Sequence, residues 1–312
     1  MNAQFYIMLQ QIFKFMVIIL IGIGCVKFKV LDQKGLPVIS KLIIRVVLPI
    51  FILSNTISSA TRDDLFSDAA IVPLGVLVYV ILIIAAFIMS RCLGLKADKR
   101  QIFEALFIFG NVGFVGIPLI VAILPEKGMV YVALFTIVDQ IVLWTLGVEL
   151  TSKDMKGFNI KNLKKMINPP LVAILIAILI VLSGVRIPVP VSDVLRTVGG
   201  ISSPLCLIYI GGCLCFCDFK RILKSKEIYI GTIVKMIIIP IAIFFFIDRC
   251  FPVPNAMSLT MALIAALPTM TTIPMLAMQN DMEGDYCVSA TLLLHTFCLI
   301  TLPIVSFVMF LF

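Results

Sequence analysis

A run of glycines, one asparagine and one proline interrupts an apolar stretch that is long enough to cross a membrane. The run is Gly110-Asn111-Val112-Gly113-Phe114-Val115-Gly116-Ile117-Pro118. Glycine and proline weaken a helix interior, and proline also removes a backbone N–H donor. Since hydrocarbon offers no water to the freed backbone groups, such a break is stable only when it is buried in protein or lines a cavity. The stretch is therefore the first candidate for a binding site.

The side chains of this run offer few chemical groups, and Asn111 carries most of them. Its amide presents two N–H donors and one carbonyl acceptor beside the predicted helix break. Asn111 is interpreted as a ligand for a bound carboxylate, and the alternative is a cap that satisfies the loosened backbone. Gly113 and Gly116 let a substrate or a second helix approach the backbone closely, and simple helix packing explains them equally well. Pro118 is interpreted as the break itself and is counted with the site.

A second break is predicted near Pro268 and Pro274, inside another apolar stretch. Three hydroxyls lie next to it, on Thr269, Thr271 and Thr272. They either bind the substrate or donate back to carbonyl groups of their own helix. These threonines and Pro274 are added to the candidate substrate site.

Three titratable residues lie deep in predicted membrane segments, where ionisable side chains are expensive and usually functional. An ion pair between Asp139 and Lys235 that opens and closes would be a proton-coupling device, and a static structural pair is the alternative. His295, the only histidine, suits a proton relay because imidazole titrates near neutral pH, and a hydrogen-bonded interior histidine is the alternative. Lys14 and Arg45 are interpreted as packing or lipid-facing charges.

Motifs of soluble enzymes are not found in the sequence. It has no phosphate-binding loop that ends in Gly-Lys-Ser or Gly-Lys-Thr, so direct drive by ATP is not expected. It has no His-Glu-x-x-His motif, no cysteine pairs at zinc spacing and no paired carboxylates of the glycosidase kind. Cys213, Cys215 and Cys217 cluster at one span end and are interpreted as small helix residues, with a metal or redox role as the alternative. We therefore expect no metal, no cofactor and no enzymatic activity.

Composition sets the class of protein. The chain has 312 residues, of which 61% are hydrophobic and only 13% are charged, and its mean hydropathy is +1.16. No soluble domain of this size has so little polar surface, so the sequence predicts an all-helical polytopic protein that lies in the lipid bilayer. The net charge of +8 does not indicate a nucleic-acid partner, because the basic residues fall in alternate predicted loops.

Hydropathy divides the chain into ten predicted spans. Their approximate bounds are 5–26, 40–59, 69–91, 101–124, 129–150, 168–187, 194–217, 228–247, 255–279 and a last span that ends near 310. One set of alternate loops then holds 17 Lys and Arg and the other set holds five. The positive-inside rule places the richer set in the cytoplasm and both termini outside the cytoplasmic membrane.

An internal repeat relates the two halves of the chain. Pro118 and Pro274, in predicted spans four and nine, are 156 residues apart, and the same offset relates Asp139 to His295. Each half has an odd number of spans, so the second half enters the membrane from the opposite side. This is a 5+5 inverted-topology repeat, and broken helices at matching positions are typical of secondary transporters. Half-helix N-termini at such a crossing present positive dipole ends to an anion.

The run from Asn111 to Pro118 resembles the fourth-helix signature of the auxin efflux carrier family. That family includes the plant PIN carriers and bacterial proteins of the malate and malonate permease type, and this chain is similar to the bacterial branch. Supporting stretches are Ser203-Pro204-Leu205 and Gly211-Gly212 in span seven, and Leu267-Pro268 in span nine. The resemblance covers the whole chain. The connector between spans five and six is short, unlike the long central loop of plant PIN carriers.

The resemblance implies a fold of the bile-acid symporter and sodium–proton antiporter type, with broken helices in spans four and nine that cross at the substrate. Spans one, two, six and seven would form a scaffold, through which a homodimer is also expected. Spans three to five and eight to ten would form a transport domain that moves like an elevator. In residue numbers, the first repeat is 1–150, the cytoplasmic connector is 151–167 and the second repeat is 168–312.

The sequence therefore predicts a secondary transporter that moves a small organic anion across the cytoplasmic membrane. A carboxylate such as malate or malonate, or an auxin-like one, follows from the resemblance alone. Protons, sodium ions and the membrane potential by itself are all open as driving forces. The alternatives are a membrane-embedded enzyme or sensor, which needs a polar cluster at one membrane face, and an ion channel, which needs a continuous polar stripe.

Overall fold

The computed structural model describes residues 3–59, 61–153, 169–185, 187–216 and 225–311. Within these ranges the chain is helical, and its only strand-like pairing is one isolated bridge. Most of the predicted connector, the basic residues at 220–224 and Cys217 lie outside the described residues.

Most of the described helices are apolar, and six of them are long and apolar enough to cross a membrane. These six are α2, α4, α7, α9, α10 and α13 in the following series. The series is α1 (Ala3–Lys27), α2 (Gly35–Ser58), α3 (Arg62–Ser67), α4 (Ile71–Cys92), α5 (Ala97–Ile108), α6 (Val112–Ile123), α7 (Gly128–Leu150), α8 (Pro169–Ser183), α9 (Val189–Leu214, with a turn at Ile201), α10 (Lys226–Cys250), α11 (Asn255–Ala265), α12 (Thr272–Gln279) and α13 (Gly284–Phe310). The structure thus confirms an all-helical chain with several candidate membrane spans.

Close contact between α1 and α9 depends on two glycines. Gly22 faces the backbone of Ile208, and Gly211 faces the backbone of Ile19. A β-carbon at either glycine would overlap backbone atoms of the other helix, so the two helices approach this closely only with glycine at both positions. α2 packs against α8 and α9, which extends this group of helices.

The broken segments lie at the centre of the remaining helices. α4 packs against α5 and α7, while α10 packs against α11 and α13. Residues 102–112 and 257–271 are buried throughout. A helix break at membrane depth is therefore surrounded by protein here, as the lack of water in hydrocarbon requires.

Four of the described helices contain a turn of wider π geometry, and proline explains three of these turns. The π turns at Ile43–Val47, Val112–Gly116 and Val234–Ile238 each end two residues before a proline. Proline lacks the N–H for the helical bond and its ring clashes with the carbonyl four residues earlier. A wider turn just ahead of the proline relieves that clash. The fourth π turn, Leu143–Gly147, has no proline at this spacing.

The sequence predicts Pro118 and Pro274 as corresponding breaks, and the structure places both breaks ahead of these two prolines. The first break comprises Phe109 to Asn111, ahead of α6, and Pro118 lies inside α6 after its π turn. The second break comprises Ala266 to Thr271, and Pro274 lies in the first turn of α12. A proline in a first turn costs no helical hydrogen bond, because the N–H groups there have no intrahelical partner.

Candidate functional site

The two breaks cross and are joined by backbone hydrogen bonds. Gly110 and Thr269 form an antiparallel bridge. On either side of it, the N–H of Asn111 donates to the carbonyl of Pro268 at 2.7 Å, and the N–H of Met270 donates to the carbonyl of Phe109 at 3.1 Å. Each break thus satisfies backbone groups that the other leaves without a helical partner.

The end of α5 is completed by two side chains from distant parts of the chain, one in α10 and one in the second break. The ammonium of Lys235, in α10, donates to the carbonyls of Leu106 at 2.9 Å and Phe109 at 3.3 Å. The hydroxyl of Thr269 donates to the carbonyl of Leu106 at 2.6 Å. Lys235 is only 1% exposed, and the carbonyl end of a helix attracts a cation. Lys235 therefore stabilises the broken end of α5.

The predicted ion pair between Asp139 and Lys235 is not formed in this structure. The carboxylate of Asp139 accepts from the hydroxyl of Tyr79 and, at 3.0 Å, from the amide of Gln140. The indole N–H of Trp144 in turn donates to the amide oxygen of Gln140 at 3.1 Å. The sequence paired two charges because each would be costly alone, whereas backbone carbonyls and polar side chains serve as their partners here.

The side-chain amide of Asn111 is both a hydrogen-bond acceptor and a hydrogen-bond donor. Its oxygen accepts from the N–H of Phe114 at 3.2 Å, which caps the start of α6, as the alternative interpretation proposed. Its nitrogen lies 3.0 Å from Nε2 of His295, whose Nδ1 lies 2.8 Å from the carbonyl of Thr291. Because a carbonyl only accepts, Nδ1 carries the hydrogen, and Nε2 of the neutral ring accepts from Asn111.

A cavity of about 290 Å³ lies beside the crossing. This volume is near the lower end of the range for small-molecule sites, roughly 300–1,000 Å³. Most of its lining is apolar, with a few polar groups at the wall. The lining residues are Lys41, Ile44, Arg45, Leu48, Ile52, Asn111, Val112, Gly113, Phe114, Ile117, Thr136, Asp139, Gln140, Leu143, Trp144, Pro169, Pro170, Met270, Thr272 and Leu276.

The cavity brings together some of the residues that the sequence singled out. Asn111, Gly113, Asp139 and Thr272 line it. The others do not line it: Gly116, Pro118, Thr269, Thr271, Pro274, Lys235 and His295. Among these, Lys235 and Thr269 hold the crossing, and His295 supports Asn111. The predicted set thus divides into residues that line the cavity, three residues that support the crossing or Asn111, and four that have neither place.

Two cations of the cavity wall were missed as site residues. Lys41 and Arg45 lie four residues apart in α2 and both line the cavity, so the interpretation of Arg45 as a packing or lipid-facing charge is wrong. Neither side chain forms an ion pair or hydrogen bond with any residue in the described part of the chain. The spacing of four was the available signal, because it places both cations on one helix face.

The π turns lie at residues that line the cavity or support the crossing. Each of the four contains at least one residue of the site or its support, and Arg45, Gly113, Trp144 and Lys235 are examples. A π turn rotates the residues that follow it relative to a regular helix, and such turns occur frequently at functional sites. Within the described ranges, no group of three His, Cys, Asp or Glu side chains is arranged to hold a metal ion.

Comparison with known proteins identifies the kind of membrane protein. The sequence pattern of the family described as membrane transport protein matches residues 7–306. An uncharacterized transporter of Methanothermobacter thermautotrophicus is 24% identical over 310 residues, which cover 96% of this chain and 98% of the relative. The chain therefore belongs to the membrane transport protein family, the family of the auxin efflux carriers that its span-four motif resembles.

Proposed function

We propose that this chain is a secondary transporter for a small organic anion that binds at the crossing of α5–α6 with α11–α12. The observation that carries the proposal is the cavity beside this crossing, whose wall holds Asn111 and two cations, Lys41 and Arg45, that have no acidic partner among the described residues. Transport follows from the family. The anionic class of the substrate follows from the charges of the wall.

The substrate carboxylate is held by donors on two sides. The amide of Asn111 has two N–H groups, and the bond to His295 uses one of them, so one donor is available to a ligand. Lys41 and Arg45 face the same cavity from α2. With Asp139 ionised, these three side chains give the wall one net positive charge, which attracts anions. The apolar remainder of the lining accommodates the carbon skeleton.

The transport cycle is an elevator-type movement within a 5+5 inverted repeat. If α5 with α6, and α11 with α12, each count as one broken span, then α1, α8 and the six long helices bring the total to ten spans. The close packing of α1, α2, α8 and α9 supports a scaffold, through which two copies would pair. The crossing then belongs to a transport domain of α4–α7 and α10–α13. The distribution of basic residues favours an extracytoplasmic location for both termini.

Proton coupling is assigned to Asp139 in this proposal. Among the three titratable candidates, Asp139 is the one that lines the cavity. Lys235 and His295 are engaged in hydrogen bonds and do not line it. A proton on the Asp139 carboxylate raises the positive charge of the cavity and so favours an anion. Coupling to sodium ions, or to the potential alone, is the competing outcome.

Purified protein in liposomes tests the proposal. A panel that includes malate, malonate, indole-3-acetate and benzoate is offered with and without imposed proton and sodium gradients. We expect uptake of at least one carboxylate, and quenching of Trp144, the only tryptophan of the chain, by the same compound. Movement or binding of no carboxylate would contradict the anion assignment. A transport rate that does not depend on the imposed proton gradient would show that Asp139 does not couple transport to protons.

Asn111→Asp is the sharpest variant for the site. A carboxylate still caps Phe114, but it replaces the free donor with an acceptor and a negative charge, so carboxylate uptake should fall at least tenfold. Asn55→Asp makes the same chemical change in α2 outside the cavity lining and should retain most of the rate. Equal rates for the two variants would place the site elsewhere.

A further inference from the structure

We propose that Lys41 and Arg45 form a cytoplasmic capture site, which draws the substrate anion into the cavity before it reaches Asn111. This inference rests on the proposed function and adds a direction to it. The crossing is the place where the anion is held, and the two cations are the place where it is first attracted. The two sides of the membrane differ because both cations lie on α2.

The two cations lie one after the other on the same face of α2. Lys41 and Arg45 are one turn apart, about 6 Å along the axis of α2. Both side chains are exposed, both line the cavity, and neither has an acidic partner among the described residues. A charged side chain inside a membrane span is costly when it faces lipid and functional when it faces a water-filled cavity.

The position of the lining along the helices gives the cavity a direction. It takes in residues 41–52 of α2 and 136–144 of α7, together with Pro169 and Pro170 at the start of α8. The distribution of basic residues assigns the start of α2, the end of α7 and the start of α8 to the cytoplasmic side. The cavity therefore extends from the middle of the membrane towards the cytoplasm, with Lys41 nearer to its mouth than Arg45.

No described basic residue that the charge distribution assigns to the opposite side lines this cavity. The lysine between α6 and α7, Lys127, is held by Asp64 at 2.6 Å and Asp68 at 3.0 Å. Its charge is thus balanced by two carboxylates and offers little attraction to a further anion. Since α2 stays with the scaffold in an elevator movement, Lys41 and Arg45 no longer face the crossing once it opens outwards. The anion is then captured on the cytoplasmic side and released on the other.

Charged thiol reagents measure this capture without a known substrate. Ile44→Cys places a thiol on the cavity wall next to Arg45. Inside-out vesicles expose its cytoplasmic mouth to the anionic 2-sulfonatoethyl and the cationic 2-trimethylammonioethyl methanethiosulfonates, and mass spectrometry quantifies the peptide that carries residue 44. We expect the anionic reagent to be favoured, and Arg45→Gln or Lys41→Gln to lower the anionic-to-cationic rate ratio about tenfold, which corresponds to about 1.4 kcal/mol.

Lys34→Gln is the matched control, because it removes the same charge from an exposed residue that immediately precedes α2 and lies outside the cavity lining. It should change the ratio by less than about twofold, as expected for a screened surface charge. A ratio unaffected by Arg45→Gln and Lys41→Gln, or labelling from the outer side only, would overturn the capture site. Transport of no carboxylate by the unsubstituted protein would instead overturn the proposed function, so the two failures are distinguishable.

Discussion

The amide nitrogen of Asn111 lies 3.0 Å from Nε2 of His295, although 184 residues separate them in the chain. The contact joins the start of α6 to the middle of α13. The carbonyl of Thr291 fixes the imidazole from its other side, so the ring has one orientation and one neutral tautomer that satisfies both partners. Asn111 is thereby held at the cavity wall.

Substitutions of His295 should distinguish an acceptor from a mere space-filling side chain. His295→Leu leaves the buried N–H of Asn111 without a partner and should cost about 1–3 kcal/mol of stability. His295→Gln retains an acceptor and should cost less than half as much. Thermal unfolding in detergent measures both. Equal losses for Leu and Gln would show that the hydrogen bond to Asn111 contributes nothing.

Lys235 and Asp139 should behave as independent sites. Lys235 bonds to backbone carbonyls of α5, whereas Asp139 bonds to Tyr79 and Gln140. In a double-mutant cycle, Lys235→Met and Asp139→Asn should therefore be additive within about 0.5 kcal/mol, as expected for sites without shared partners. Unfolding free energies measure the cycle. A coupling energy above about 1 kcal/mol would indicate that Lys235 and Asp139 form a direct ion pair after all.

A second double-mutant cycle, of Tyr79→Phe with Asp139→Asn, is the positive control for the cycle of Lys235 with Asp139. These two residues are hydrogen-bonded, and residues in contact usually couple by about 0.5–3 kcal/mol. If this cycle is additive as well, the method is not sensitive to contacts in this part of the protein. Only a coupled Tyr79 cycle beside an additive Lys235 cycle supports the arrangement described here.

Local sequence predicted where the helices break to within a few residues, and tertiary pairing decides the rest. Glycine and proline mark weak helix positions, so both breaks were found near Pro118 and Pro274. Their true positions, at Phe109–Asn111 and Ala266–Thr271, depend on the bridge between Gly110 and Thr269. No local pattern contains that pairing, because its two residues come from different halves of the chain.

The partners of the charged residues were the least predictable feature of the site. The ammonium of Lys235 is hydrogen-bonded to backbone carbonyls. Every residue type carries a carbonyl, so residue identity gives no signal for such a partner. Arg45 was assigned to packing or lipid because hydropathy does not tell which side of α2 faces a cavity. The spacing of Lys41 and Arg45 shows that they share a face, and only the positions of α7 and α8 show what that face meets.

The ion cluster outside the membrane spans predicts a pH dependence of stability. Hydrogen bonds from Lys127 and Thr61 lower the pKa of Asp64 to about 2, and the same contacts with Asp64 and Asp68 raise the pKa of Lys127. Because the folded carboxylate has the lower pKa, its contribution is complete above about pH 4, the usual aspartate pKa. It is lost as the pH falls towards 2.

Lys127→Gln tests this dependence. The variant should lose about 0.5–1 kcal/mol at pH 7, as is usual for a partly exposed ion pair. The difference from the unsubstituted protein should shrink below pH 4, and unfolding temperatures between pH 7 and pH 3 measure it. Lys34→Gln removes an exposed lysine in another loop and should show no such trend. A loss that is independent of pH would rule out the carboxylates as its source.

Two glycines of the first break should respond differently to alanine. A β-carbon at Gly110 would lie 3.0 Å from the carbonyl oxygen of Ile264 and 3.3 Å from the β-carbon of Leu267. Both neighbours belong to the crossing segment, so Gly110→Ala must push the two breaks apart. A β-carbon at Gly113 would lie 3.6 Å from Leu48, an ordinary contact. Gly110→Ala should therefore destabilise by roughly 1–3 kcal/mol, as overpacking does, while Gly113→Ala should leave the unfolding temperature nearly unchanged.

The same pair separates stability from transport. Gly113 lines the cavity, so its added methyl group takes up space that the substrate uses and should raise the half-saturation concentration for the transported carboxylate without unfolding the protein. Gly110→Ala should lower the unfolding temperature first and lose transport with it. If instead Gly113→Ala unfolds the protein and Gly110→Ala is tolerated, then the backbone pairing at the crossing is not what holds the two broken helices together.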